Sequence, residues 1–309
     1  MSELKMKSPA GMASPAASPG SPRLRYILAD FCASRSAVLG LAMLLGMVLL
    51  AIAAPLVSPQ NPYDLDQLNI LDGRLPPGSE SMTGGVYWLG TDVQGRDMWS
   101  GILYGLRISL LVGLSSALIA CTAGMVVGLI AGYCGGRIDA MIMRLVDLQL
   151  SFPSILIALM LLAVTGRGVD KIILALVIVQ WAYYARTVRA STLAERKKEY
   201  VAAANCLYLP QWRVLFLHIL PNCMPSLIVV LTVQVANAIT LEATLSFLGV
   251  GLPITEPSLG LLIANGFNYI ISGRYWISLF PGIALLLLIV SINLVGDQLR
   301  DTLNPRLSK

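Results

Sequence analysis

Charge is scarce in this 309-residue chain: 13% of its residues are Asp, Glu, Lys or Arg, while 56% are hydrophobic. Soluble domains carry about 25% charged residues, so a chain this poor in charge could not cover a water-facing surface. No Gly-Lys dipeptide occurs anywhere. That excludes a phosphate-cradling GxxxxGK[ST] loop, and with it ATP hydrolysis by a P-loop of this chain. A single histidine, His218, excludes a histidine metal cluster. No strand–GxSxG–helix setting offers a nucleophile. The cysteines (Cys32, Cys121, Cys134, Cys206, Cys223) are odd in number, with no metal-ligand or redox spacing. They read as small apolar filler. The chain reads as a non-enzyme that binds no cofactor or metal of its own.

What fills the space is apolar sequence in long runs. About 20 apolar residues suffice to cross a hydrocarbon core of about 30 Å. Ser36–Val57 and Ile108–Tyr133 contain no charge. Leu145–Val164, Ile172–Ala190, Met224–Leu248 and Trp276–Val295 follow. The expected fold is an all-α polytopic membrane protein of about six transmembrane helices, because lipid-facing backbone must satisfy its own hydrogen bonds. Gly113, Gly124, Gly128 and Gly132 suit close helix packing in lipid. Ala51–Ile52–Ala53 resembles a signal-peptidase site. The apolar run before it is longer than a signal peptide's 7–15 residues, so the first span is read as uncleaved.

Orientation follows from Lys and Arg in short loops. With the N-terminus inside, the inner segments hold Lys5, Lys7, Arg23, Arg25 and Arg35, then Arg137 and Arg144. They also hold Arg186, Arg189, Arg196, Lys197, Lys198 and Arg213, and finally Arg300, Arg306 and Lys309. The outer segments hold Arg74, Arg96, Arg107, Arg167, Lys171 and Arg274. The bias places both termini in the cytoplasm of a cell bounded by this membrane. The net charge of +5 is then the mark of that bias and not of nucleic-acid binding.

The expected organisation has a disordered cytoplasmic N-terminus (1–30), a first span (31–57) and a periplasmic segment (58–103). A transmembrane core (104–299) contains a cytoplasmic loop (191–222), and a cytoplasmic tail closes the chain (300–309). Within the outer segment, Asp92 and Asp97 are placed to cap a short helix leading into the second span. Arg96, Asp97 and Pro257 are candidates for contacts at the outer face.

Acids within the spans are few. Asp147 follows Arg144 by three residues and would neutralise it on one helix face. Glu242 follows Gln234, Asn237 and Thr240 toward the outer end of the fifth span. Intramembrane charge points to a polar path or gate, but a hydrogen bond or ion pair to a neighbouring helix uses the same residue.

The loop "EYVAAANCLYLPQWRVLFLHILPN" (Glu199–Asn222) departs from the lipid pattern. Ala194–Leu207 is rich in helix formers, with Tyr200, Ala204, Leu207 and Tyr208 at helical spacing. Pro210 is suited to open a second short helix carrying Trp212, Leu215, Phe216 and Ile219, which Pro221 would end. Such a knuckle could lie on the anionic inner leaflet, or insert into a partner's groove.

The loop resembles the EAA loop of permeases from ATP-binding-cassette importers: Ala202–Ala203–Ala204, three residues, Tyr208, nine residues, then His218–Ile219–Leu220–Pro221. Beyond it, "LGTDVQGRDMWSGILYGLRISLLVG" (Leu89–Gly113), "GYCGGRIDAMIMRLVDLQLSFPSILIAL" (Gly132–Leu159), "LEATLSFLGVG" (Leu241–Gly251) and "NLVGDQLRDTLNPR" (Asn293–Arg306) are similar to family motifs in the same order. The resemblance runs from about Phe31 onward, and is to the C-type permease subunit of dipeptide, oligopeptide and nickel importers. It departs at Ala202, where the family has an acid, at Tyr208, where it has glycine, and at Leu217, where arginine is frequent.

The resemblance implies a subunit in the bacterial inner membrane that passes di- or oligopeptides, or a related solute such as a nickel chelate, opine or glutathione. It implies a second permease, one or two ATPase subunits carrying ATP and Mg, and an extracytoplasmic solute-binding protein, with membrane lipid around the spans. Glu199, Tyr200, Ala203, Ala204, Leu207, Tyr208, Pro210, Trp212, His218 and Pro221 would form the coupling helix and its surroundings, docking on an ATPase. Gln234, Asn237 and Glu242 would line the path or gate. A stand-alone carrier or channel seeded by Glu242, and a scaffold without transport, are the alternatives.

Overall fold

The computed structural model describes residues 31–64, 68–82, 84–253 and 255–303. The expected N-terminal segment 1–30 and residues 304–309 of the tail lie outside the described residues. Five helices are long and apolar enough to cross a membrane, or six crossings if one bent pair counts as a span. They are α1 (Arg35–Val57), α2 (Met98–Cys134), α5 (Val169–Glu195), α7 (Gln211–Phe247) and α9 (Trp276–Leu303). The bent pair is α3 (Gly136–Ser151) with α4 (Ser154–Thr165), and the short helices are α6 (Glu199–Cys206) and α8 (Leu259–Phe267).

Three helices, α1, α2 and α8, start on a side-chain cap. The Ser34 hydroxyl accepts from the Ala37 amide and caps α1. Asp97 caps α2, its Oδ2 accepting from the Ser100 amide at 2.9 Å and from the Ser100 hydroxyl at 2.6 Å. The separate short helix expected before the second span is therefore absent: Asp97 starts a single helix of 37 residues. Asp92 does not cap it. Its Oδ1 accepts from the Gln94 and Arg96 amides at 2.7 and 2.9 Å, closing the turn that ends in Gly95 and Arg96.

The apolar run from Leu145 to Val164 is not one continuous helix. The structure bends it by 89° between α3 and α4. Proline disfavours helical backbone in the residue before it and brings no amide hydrogen of its own. Phe152, before Pro153, is accordingly extended at φ −93° and ψ 143°. The expected Arg144–Asp147 pairing is also corrected. Asp147 faces α5 and bonds Arg186 at 2.5 Å, while Asp139, two turns earlier, bonds Arg189 at 2.5 Å. Gln149 continues this seam, accepting from the Trp181 indole at 3.2 Å and donating to the Ile178 carbonyl.

At the centre, α2 and α5 run parallel at close range. A Cβ on Gly124 would lie 2.4 Å from the Trp181 carbonyl oxygen. One on Gly128 would lie 2.5 Å from that of Ala185, and one on Gly132 2.7 Å from Thr192 Cβ. Glycine at every fourth position is what lets the two backbones meet. α7 packs antiparallel on α2, with Ile239 against Gly113, and also touches α5.

Chain direction gives the bundle two ends. One carries α6. The other carries segment 58–97, built from a 3₁₀ turn (Ile70–Asp72) and an antiparallel pair, β1 (Ser79–Glu80) and β2 (Val86–Tyr87). This end is closed by Asp72 Oδ2, which accepts from the Ser81 and Tyr87 hydroxyls at 3.1 Å each. The Trp276 indole, at the start of α9, donates to the Thr91 carbonyl at 3.3 Å.

Candidate functional site

α6 stands between two long helices, so only the turns 196–198 and 207–210 flank it. Within the expected loop 191–222, α5 continues to Glu195 and α7 begins at Gln211. α6 ends in a Schellman cap. The Leu209 amide donates to the Ala204 carbonyl at 3.2 Å, and the Tyr208 amide to Asn205 at 3.0 Å. That cap needs left-handed backbone at its turning residue, where glycine is usual. Tyr208 occupies the position at φ +53°. The sequence departure at Tyr208 thus leaves the turn intact.

The inner side of α6 is glued to the bundle. Val201, Ala204, Val214, Leu215 and Ile219 are buried in one cluster with Tyr184, Val188 and Leu129, and Tyr200 and Leu209 pack against it. The outer side is apolar and uncovered: Tyr208 is 94% exposed, Leu207 74% and Trp212 63%, with Ala203 and Phe216 also exposed. The helical stripes expected from spacing are therefore split. Tyr200 and Ala204 face inward while Leu207 and Tyr208 face outward, and Trp212 and Phe216 part from Leu215 and Ile219 in the same way.

Polar bonds fix the base of this knuckle. The Tyr200 hydroxyl donates to Glu195 Oε2 at 2.8 Å, Asn222 Nδ2 donates to the Tyr200 oxygen at 3.3 Å, and Lys198 bonds Glu195 at 2.6 Å. Burial and the Glu195 carboxylate push the Tyr200 phenol up to about 12. His218 Nδ1 lies 3.1 Å from the Arg213 carbonyl. Glu199 is exposed in the first turn of α6, behind Lys198. Pro210 is the N-cap of α7. Pro221 does not end a short helix, contrary to expectation. It lies inside α7, directly after a π-helical turn over Val214–Ile219 in which the Leu220 amide reaches back to the Leu215 carbonyl. The wider turn shifts the carbonyls that a proline ring would strike in a regular helix.

Midway along the bundle lies a cleft of about 290 Å³ with walls from α4, α5 and α7. Gln234 and Asn237 both line it, and Asn237 Nδ2 donates to Gln234 Oε1 at 2.7 Å. Glu242 lies apart from that lining, fully buried. Its carboxylate accepts from the Ser109 hydroxyl of α2 and the Ser246 hydroxyl of α7 at 2.9 Å each, and the Ser258 side chain, at the start of α8, also faces it. Of the two readings of this acid, the geometry is that of a hydrogen-bonded knot between helices.

The three outer-face candidates are corrected by burial. Arg96, Asp97 and Pro257 are all buried within the chain, where they have no surface to offer a partner. Asp97 is occupied in capping, and burial holds the Arg96 guanidinium below its usual range despite nearby Asp92. Gln180 was missed. It is a lone amide in the apolar run of α5, and that isolation was the available signal.

Residues 124–309 match the family described as binding-protein-dependent transport system inner membrane component. Residues 22–77 match the N-terminal transmembrane domain of oligopeptide transport permease C. The chain is 41% identical over 276 residues to a putative peptide transport system permease protein of Brucella suis, covering 88% of each. It is 36% identical over 279 residues to the dipeptide transport system permease protein DppC of Haemophilus influenzae, covering 90% of this chain and 93% of that one. It is 37% identical over 285 residues to the di/tripeptide transport system permease protein DppC of Pseudomonas aeruginosa, covering 92% of each. In fold it is similar to a chain of the inward-facing MetNI methionine ABC transporter, with a TM-score of 0.53 at 18% identity, over 67% of this chain and 97% of that one.

Proposed function

The chain belongs to the binding-protein-dependent transport permeases of the DppC type, and from that premise we propose how it couples and what it carries. It is a multi-pass membrane subunit of an ABC importer and is not itself an enzyme. Its cargo is a di- or oligopeptide, as the names of its relatives support. The end bearing α6 faces the cytoplasm, where Arg196, Lys197 and Lys198 cluster. There, Leu207, Tyr208 and Trp212, with Ala203 beneath them, dock into a groove on an ATPase subunit that holds ATP and Mg. Glu199, Tyr200, Ala204, Pro210, His218 and Pro221 set the pitch of that face. A second permease pairs along the spans, and a solute-binding protein delivers cargo to the opposite end. Gln234 and Asn237 line the path; Glu242 holds α2 and α7 together beside it.

The observation that carries this reading is the uncovered apolar face on a capped, bundle-anchored helix. Aromatic side chains exposed on a rigid element are the usual anchors of an interface. A loose loop would lose that advantage to ordering entropy. The stand-alone carrier loses its seed, because Glu242 is sealed by hydroxyls rather than open to the cleft.

The test is purification of the tagged protein from its native membrane in mild detergent, compared with the Leu207→Asp/Tyr208→Asp double variant. The wild type brings down a second permease and P-loop ATPases; the variant keeps the permease and loses the ATPases. A chain that purifies alone and still transports would overturn the proposal.

A further inference from the structure

The cleft between α4, α5 and α7 carries polar side chains but no charged ones, beside apolar Val179 and Leu241. Ser154 comes from α4, Gln180 and Tyr183 from α5, and Gln234, Asn237 and Thr240 from α7. No Asp, Glu, Lys or Arg is among its lining residues. Three of the six, Gln180, Gln234 and Asn237, are primary amides, and each amide carries both a donor and an acceptor.

Gln180 is distinct among them. It is 1% exposed, and its Nε2 donates to the Gln234 backbone carbonyl at 3.2 Å. A carbonyl oxygen can only accept, so this bond fixes which end of the amide is nitrogen. The other end, Oε1, is buried and has no hydrogen-bond partner among the described residues. Buried acceptors are almost always satisfied, and leaving one unmade is costly. Oε1 is sealed in this structure, but it belongs to a residue lining a cleft sized for a small solute, and a donor from that solute would satisfy it once the wall opens toward it.

Resting on the permease reading above, we propose that Gln180 accepts a hydrogen bond from a backbone N–H of the peptide in transit, and that this cleft recognises peptide bonds and not side-chain charge. A peptide backbone offers the complementary alternation of N–H and C=O whatever its side chains. An amide wall therefore serves many sequences, whereas a carboxylate or guanidinium would favour one charge class and retain it. The sealing of Glu242 by Ser109 and Ser246 keeps the nearest span acid from imposing such a bias.

The experiment uses the complete importer, with its binding protein, in proteoliposomes. Uptake of an alanyl peptide is compared with that of the same peptide N-methylated at its internal amide, and cationic peptides are compared with anionic ones. The binding protein is the same throughout, so its own preferences cancel when ratios are compared between variants. Gln180→Met keeps the side-chain length and removes both the acceptor and the donor that bonds the Gln234 carbonyl, so the ratio of parent to N-methylated uptake, rather than the absolute rate, reads the acceptor. The variant is expected to lower uptake of the parent peptide about three- to tenfold, the loss of one hydrogen bond, and to abolish discrimination against the N-methylated form. Gln180→Glu is expected to keep that discrimination and add a preference for cationic over anionic peptides. Co-purification of the ATPases and their basal hydrolysis report assembly. An assembled Gln180→Met complex with an unchanged parent-to-methylated ratio would overturn the proposal. If Gln180→Met does not assemble, Gln180→Glu decides by its charge preference alone. Wild-type complex that carries no peptide at all would instead sink the peptide-permease reading.

Discussion

Tyr208 sits where an L-residue is least at ease and water is closest. Left-handed backbone costs an ordinary residue about 1–2 kcal/mol, and its ring, 94% exposed, gains nothing back from the rest of the chain. A residue that is strained and unpacked in the isolated subunit is best explained by a contact made outside it. Tyr208→Gly removes strain and ring together, and Tyr208→Ala removes the ring but keeps most of the strain. We expect the glycine variant to unfold at a higher temperature than the alanine variant, and both to bind the ATPase less tightly than wild type. Thermal unfolding in detergent and ATPase co-purification read the two effects separately. A glycine variant that binds the ATPase as wild type does would leave the ring without a role. The residue scale was also the hardest to read from sequence. Spacing placed Leu207 and Tyr208 on a helix stripe with Ala204 and Tyr200. The cap reverses the chain after Cys206 and turns the later pair outward. Periodicity describes a helix, and it cannot see where a helix stops.

Among elements, the α2–α5 pair is the one that composition foretold. Gly124, Gly128 and Gly132 fall at every fourth position and meet the backbone or β-carbons of α5, while Gly113 meets Ile239 of α7. Gly128→Val would place its Cβ 2.5 Å from the Ala185 carbonyl oxygen and force the helices apart. We expect a loss of about 1–3 kcal/mol, the usual cost of overpacking a core. Gly46→Ala on α1 is the control, since a Cβ there meets nothing within 4 Å. Thermal unfolding of the two variants should differ clearly. Equal midpoints would mean that the close approach carries no weight. Other elements were legible only in part. Hydropathy found the run from Leu145 to Val164 but could not weigh Pro153 against it, because proline's effect is on backbone geometry and not on apolarity. Likewise Asp147 had a partner in sequence, Arg144, yet bonds Arg186 once α3 lies against α5. Proximity along a chain is a weak guide when a helix seam brings two arginines to two acids. The π turn before Pro221 left no trace in composition at all.

At the scale of the molecule, the directions of the spans put α6 and the β1–β2 pair at opposite ends, and the Lys and Arg bias then proposes which end is inside. The cysteines can report this. Cys206 is exposed on α6, while Cys121 and Cys223 are buried. A variant retaining Cys206 as its sole cysteine should react with a membrane-impermeant maleimide in inverted vesicles and not in intact spheroplasts. Met82→Cys in a cysteine-free background, at an exposed site between the two strands, should react in spheroplasts only. The opposite pattern would reverse the orientation and with it the side on which the ATPases could dock. Cys206 immediately precedes Leu207, so bound ATPase should slow its labelling in inverted vesicles, and the Leu207→Asp/Tyr208→Asp variant should restore the rate. Protection that persists in that variant would place the ATPase elsewhere on the same face. Orientation, docking and the uncovered apolar patch are thereby linked through one side chain, whose reactivity depends on all three.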